Sequence, residues 1–215
     1  PVGIVAADEE AMATLQQRLL DGLSTDGTVA AVRRAAVDPP DEADVVVQLD
    51  TAGPWSLRGA DATLTDLLDR LAPATDYAVL TGFPTARVPH VVVGDVDSDG
   101  EVLLQADSPA GVTVEGVLDA LERTDPYVTL ESLVAEIKRS PNADRSGAIA
   151  TFTGRVRERD APDDRPTTEL EFEKYEGLAE ERLAALEAEL SARDGVQNVL
   201  MHHRTGVIPS GRDIV

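Results

Sequence analysis

VGIVAADEEAMATLQQRLLDGL, residues 2–23, begins with a short β-branched stretch and then spaces Met12, Leu15, Leu19 and Leu23 close to the period of a helix. The segment reads as a strand, a loop and a helix. Outward from it, TVAAVRRAAV (28–37) follows, and ADVVVQLDT (43–51) comes after the Pro39-Pro40 break. Helical spacing covers Ala62–Leu71, and DYAVLTGF (76–83) and HVVVGDVD (90–97) complete the set. The continuous apolar runs Val45–Val47 and Tyr77–Leu80 suit strands buried on both faces, as in a parallel α/β sheet. Helical spacing returns from Thr113 to Glu122, and TDPY (124–127) breaks it, which puts a domain boundary there, between residues 1–124 and 125–215.

Beyond the boundary a helix, Leu130–Arg139, leads through the polar linker SPNADRSG (140–147) into GAIATFTGRVRERD (147–160). Side chains alternate along a strand, so this stretch is expected to show Thr151, Thr153, Arg155, Arg157 and Arg159 on one face and Ala150, Phe152, Gly154 and Val156 on the other. ELEFEKYE (169–176) reads as a second strand, with Leu170, Phe172 and Lys174 alternating with glutamates and Asp163-Asp164 in the turn, so the two strands are expected to pair as a long-looped hairpin. GLAEERLAALEAELSARDG (177–195) gives a helix with Leu183, Leu186 and Leu190 on one face and Gly195 as its C-terminal cap. VQNVLMHHRTG (196–206) reads as a strand, and GRDIV (211–215) as the start of another.

Composition narrows the function. With 40 acidic against 19 basic residues and a formal net charge of -21, general binding to nucleic acid or to an anionic membrane is disfavoured, and any anionic ligand must be held by a local basic cluster. Lys138 and Lys174 are the only lysines, and such lysine depletion in an acid-rich chain looks like the surface of a protein from an extreme halophile. There is no cysteine, which excludes disulfides, thiolate catalysis and thiolate metal ligation. No apolar run approaches the roughly 18 residues of a membrane span, and no signal peptide is recognisable, so the expected location is the cytoplasm.

Residue types alone leave three readings of the arginines at 155, 157 and 159. They are a solvated edge paired with acids such as Glu158 and Asp160, an anion site of guanidinium forks, or an interface for an acidic partner.

The order of motifs adds a resemblance. Gly147, Ala148, Phe152, Gly154, Val156 and Arg157, then Leu170, Glu173, Tyr175, Gly177 and Ala179, then His203, Arg204, Gly206 and Gly211 follow one another as in the catalytic large subunit of molybdopterin synthase, the MoaE-type family. Phe172 and Leu178 replace that family's tyrosine and methionine. The resemblance implies an α+β domain of the hammerhead-like type that dimerises, and a heterotetramer with a small ubiquitin-like sulfur-carrier subunit. It implies transfer of sulfur from that subunit's thiocarboxylated Gly-Gly tail to cyclic pyranopterin monophosphate, giving molybdopterin, with no metal or other cofactor. It assigns substrate contact to Arg155, Val156 and Arg157, and pocket support to Phe152, Arg159, His203 and Arg204. His203 and Arg204 are expected to order their strand. The family's two catalytic lysines follow the point matching Val215, so no catalytic residue is assigned within these 215 residues, which are expected to be a portion of a longer protein or a chain that has lost its active site.

The front part resembles the MobB-type family, the P-loop adapters of molybdopterin-guanine dinucleotide biosynthesis, through GIVAADEEAMATL (3–15) and DYAVLTGFPTARVPHVVVGD (76–95). Gly82 and Phe83 are kept, but Ala6 and Ala11 stand where the loop glycines belong, Met12 where the lysine belongs and Ala13 where the hydroxyl belongs. Asp8, Glu9 and Glu10 would face any phosphate there, so no nucleotide site is expected. The implied whole is a degenerate P-loop-like α/β domain ahead of the synthase domain. The alternatives are a non-catalytic scaffold of the same pathway and, last, a nucleotide-binding adapter.

Overall fold

The structure, a computed structural model, describes residues 1–36, 45–49, 55–59, 62–173, 175 and 177–214. The Pro39-Pro40 break, Lys174 and Val215 fall outside the described residues. The chain divides into a front unit, Pro1–Tyr127, and a back unit, Val128–Val215.

The front unit carries β1 (Val2–Ala6), α1 (Glu9–Leu23), β2 (Val29–Arg33), β3 (Val45–Leu49), β4 (Trp55–Gly59), α2 (Leu64–Leu71), β5 (Tyr77–Thr81), β6 (His90–Val93), β7 (Val102–Ala106) and α3 (Val114–Leu121). Five strands form one sheet in the order β2-β5-β1-β6-β7, each pairing parallel with its neighbours. This is an α/β fold with both faces covered. Strand alternation sends Val2, Ile4, Val79, Val91 and Val93 to one face, where Leu15, Leu19 and Leu23 of α1 meet them fully buried. Each such leucine contributes roughly 2 kcal/mol of burial. Val32, Ala78 and Leu80 point to the other face and pack on Leu68 of α2, with Phe83, Ala86 and Val88 from the segment after β5.

One expected strand behaves otherwise. Val45–Leu49 pairs antiparallel with Trp55–Gly59 in a separate two-stranded ribbon, and Val47 is 60% exposed, so this apolar run is not a doubly buried strand of the parallel sheet. A continuous β-branched run states strand propensity, and only its partner decides burial.

Only Ala7 and Asp8 separate β1 from α1, so Ala11, Met12 and Ala13 lie within the helix and form no loop. The Asp8 carboxylate accepts from the amides of Glu10 at 3.1 Å and Ala11 at 3.3 Å. The helix therefore satisfies its first N–H groups with its own side chain, and Glu9 and Glu10 add negative charge to the same turn.

His90, the first residue of β6, is a buried polar residue of the sheet. It is fully buried, its Nδ1 pairs with Ser98 Oγ, and its Nε2 has no partner. A Cβ at Gly3 would lie 2.1 Å from its ring, and one at Gly100 would lie 2.1 Å from the carbonyl of Val88, so both glycines are needed to seat it. Burial lowers its pKa from the ordinary 6.5, against a weaker opposing pull from Asp99. The unfolded chain thus takes up a proton that the folded chain resists, and the stability contribution is present above pH 6.5 and lost as pH falls through that value. Denaturation of wild type and His90→Gln between pH 8 and 5 should show wild type losing up to about 1.4 kcal/mol per pH unit relative to the variant. Parallel curves would remove His90 as the cause.

Candidate functional site

The back unit contains α4 (Leu130–Arg139), β8 (Glu169–Phe172), α5 (Leu178–Ser191) and β9 (Gly206–Pro209). Thr129 starts α4 with a reciprocal cap to Ser132: the Thr129 hydroxyl accepts from the Ser132 amide at 3.1 Å and the Ser132 hydroxyl accepts from the Thr129 amide at 2.9 Å. β8 pairs antiparallel with β9, placing Leu170 opposite Ile208. The expected hairpin between β8 and the arginine stretch is therefore replaced by a pairing with a segment from the end of the chain. Among the described residues the Thr167 amide, just before β8, donates to the Glu158 carbonyl at 2.7 Å.

GAIATFTGRVRERD does not form a continuous strand. Its ladder is confined to one bridge, Arg155 opposite Asp213, with the Val156 amide donating to the Arg212 carbonyl at 3.0 Å. The Gly211 amide donates to the Val156 carbonyl at 2.9 Å, and the Ile214 amide to the Gly154 carbonyl at 2.8 Å. Alternation holds over these residues: Val156 is 1% exposed while Arg155 and Arg157 lie in solvent. Upstream it fails, because Phe152 is 94% exposed and does not share an apolar face with Val156. The expected strands over 196–206 and at 211–215 are also absent among the described residues, apart from Gly206 in β9 and the Asp213 bridge. The amide of Arg204 nevertheless donates to the Ile214 carbonyl at 2.9 Å, so 154–156, 211–214 and 204 form one hydrogen-bonded group.

Within that group each arginine has a different setting. Arg155 Nε donates to the Gly211 carbonyl at 2.8 Å, and Gly211 holds φ +79°, which a glycine adopts without strain. Arg157 forms an exposed ion pair with Asp160 at 3.0 Å. Arg159 reaches the Pro162 carbonyl at 3.4 Å. His203 is exposed and packs edge-on against Phe172, ring centroids 5.2 Å apart, while Arg204 Nη2 donates to the Val128 carbonyl at 3.3 Å. The hydrogen bonds of Arg204 through both its amide and its guanidinium fit a residue that orders its segment. Gly211 and Thr167 are the positions missed from sequence as organisers; the glycine at 211 was the available signal for the first.

α5 falls where the leucine spacing puts it, but its leucine face is not buried: Leu186 is 46% exposed, and Leu183 and Leu190 are half-buried. Its C-terminal cap is Ala192, and Gly195, at φ +82°, turns the chain three residues later. Among the described residues there is no group of three or more His, Asp or Glu side chains placed to hold a metal, and no helix is long and apolar enough to cross a membrane.

Comparison with known proteins gives this arrangement a family. Residues 124–215 match the family model described as MoaE protein. A probable molybdopterin synthase of Haloferax volcanii is 43% identical over 216 residues, covering 100% of this chain and 82% of that protein. The chain belongs to the MoaE family of molybdopterin synthases. Its place is therefore molybdenum cofactor biosynthesis. The molybdopterin synthase catalytic subunit of Bacillus subtilis is 30% identical over 98 residues, 46% of this chain and 59% of that protein. The Haloferax match includes the front unit as well. Among solved structures, Bacillus subtilis MobB gives a TM-score of 0.43 at 20% identity, covering 56% of this chain and 97% of that one. A molybdopterin-guanine biosynthesis protein B gives 0.41 at 16%, covering 57% and 99%.

Val156 is the anchor of the arginine group, and Val156→Ala should cost about 2 kcal/mol. Hydrogen exchange is the measure: the Val156 and Gly211 amides should exchange faster in the variant while the β1 and β5 amides of the front unit keep their protection.

Proposed function

We propose that the MoaE-type unit of this chain binds cyclic pyranopterin monophosphate and receives the thiocarboxylated Gly-Gly tail of a small ubiquitin-like subunit, whose sulfur is transferred to the substrate to give molybdopterin. The observation that carries this reading is the placement of Arg155 and Arg157 on the solvent side by the burial of Val156 between them, within the segment that matches the family. Both ligands are anionic, and guanidinium forks supply the fixed positive charge they need in a chain of net charge -21.

The local geometry supports binding at both arginines. Arg155 uses only Nε on the Gly211 carbonyl, so its Nη groups remain as donors to an anion. The Arg157–Asp160 pair has side chains 76% and 73% exposed, and such a pair is worth at most about 1 kcal/mol, so a phosphate can displace the aspartate. The role assigned to Arg155, Val156 and Arg157 is binding and positioning. Arg157→Ala should raise KM for cyclic pyranopterin monophosphate about tenfold or more, measured with the complete protein and thiocarboxylated small subunit in molar salt. Unchanged KM would remove Arg157 from the site, and no molybdopterin from the complete protein would overturn the reading.

A cytoplasmic homodimer that carries one small subunit on each protomer fits the surface of the back unit. Phe152, Tyr175 and Leu178 are 94%, 84% and 54% exposed, which is apolar area that a partner can cover. Sedimentation in molar salt should show a dimer whose dissociation constant rises at least tenfold in Phe152→Asp, and a wild-type monomer at all concentrations would exclude that assembly.

A further inference from the structure

A turn outside the arginine stretch decides how Arg155 is presented. β9 ends at Pro209 and the chain reverses through Ser210 and Gly211, with the Arg212 amide donating to the Pro209 carbonyl at 3.2 Å. The turn is thus closed between its first and fourth residues, and its third, Gly211, holds φ +79°. A positive φ at that place is the mark of a type II turn, which glycine adopts without strain. Space is not the constraint, because a Cβ at Gly211 would lie 3.7 Å from Arg155 Nη2, an ordinary contact. The backbone conformation is.

The turn type matters because of what the two peptides of Gly211 touch. Its amide, in the central peptide of the turn, donates to the Val156 carbonyl at 2.9 Å. Its carbonyl, in the next peptide, accepts from Arg155 Nε at 2.8 Å. A side chain at the third position favours a type I turn, whose central peptide is rotated by roughly 180°, and that rotation withdraws the amide from Val156 and shifts the acceptor from Arg155. One glycine therefore holds both the buried valine and the arginine before it. The nitrogen that is taken sets the orientation of the rest: with Nε on a carbonyl, the side of the guanidinium shared by Nε and one Nη is closed, and the end formed by Nη1 and Nη2 stays open. Arg157 meets Asp160 through Nη2 and Arg159 meets the Pro162 carbonyl through Nη1, so among the described residues neither is held in this way.

We propose that Gly211 is a positioning residue: its type II turn fixes Arg155 by Nε so that the Nη1–Nη2 end is offered to an oxyanion of one of the two anionic reactants. What the site binds rests on the sulfur-transfer reading. How Arg155 is held rests on the turn alone.

Two measurements test it. By heteronuclear NMR of the full chain, the Arg155 Nε proton should exchange with solvent about fivefold or more slowly than those of Arg157 and Arg159, and Gly211→Val should abolish the difference. Equal exchange in wild type overturns the proposal, and this readout needs no catalysis and no variant that folds. In the complete protein with thiocarboxylated small subunit, Gly211→Val should raise KM about tenfold for cyclic pyranopterin monophosphate or for the small subunit, with kcat within about twofold. The reactant whose KM rises is the one that Arg155 meets. Gly211→Asn, a residue type that tolerates positive φ, should stay within about threefold of wild type. In an Arg155→Ala background Gly211→Val should add no further rise, because the arginine through which it acts is gone. The same rise in both backgrounds is the result of a purely structural turn, and it overturns the proposal. Wild-type protein that makes no molybdopterin while its Arg155 Nε proton stays protected overturns the sulfur-transfer reading and supports the hold on Arg155.

Discussion

The burial of Val156 is the constraint on which the synthase unit depends. It fixes which side chains of the arginine stretch face solvent, and its amide and carbonyl draw Gly211 and Arg212 alongside. Through Ile214 the same group reaches Arg204. The magnitudes decide the order of importance: a buried valine and two backbone hydrogen bonds are worth several times the ~0–1 kcal/mol of an exposed ion pair such as Arg157–Asp160. The position of the arginines is thus set by an apolar residue between them.

The two units distribute burial differently. In the front unit both faces of the parallel sheet carry buried side chains, and fully buried leucines run the length of α1. In the back unit the buried hydrophobic side chains among the described residues are Val156 and Ile208, while Phe152, Tyr175, Leu178 and Leu186 lie exposed. Covering such apolar surface stabilises a unit arranged in this way.

What was legible in the sequence follows from the range of each interaction. The helical spacing of Leu15, Leu19 and Leu23, and that over Ala62–Leu71, Thr113–Glu122 and Leu130–Arg139, is local, and α1, α2, α3 and α4 fall where it puts them. The doubly covered strand Tyr77–Thr81 was legible for the same reason. Val45–Val47 carried the same apolar signal, yet lies in a ribbon, because burial depends on a partner that propensity does not name. The pairing of β8 with β9 was misread because adjacency in sequence favoured the arginine stretch, whereas the actual partner lies some 35 residues further on. At the candidate site the alternation of Arg155, Val156 and Arg157 was visible, but the Gly211 carbonyl that holds Arg155 was not. A backbone acceptor has no residue type to announce it.

That last point has a wider consequence for a chain this acidic. A guanidinium oriented by a carboxylate is neutralised by the contact that orders it, whereas one oriented by a carbonyl keeps its charge for a third party. Arg155 is held by the Gly211 carbonyl and Arg33 by the amide oxygen of Gln16, in two units that share no fold. With 40 acids available as partners, a neutral acceptor at both positions separates order from neutralisation. Arg157, which does meet an acid, meets it in solvent, where the contact is weakest and most readily exchanged. Positive charge that is both ordered and unspent is what an anionic ligand requires of a protein whose general field repels it.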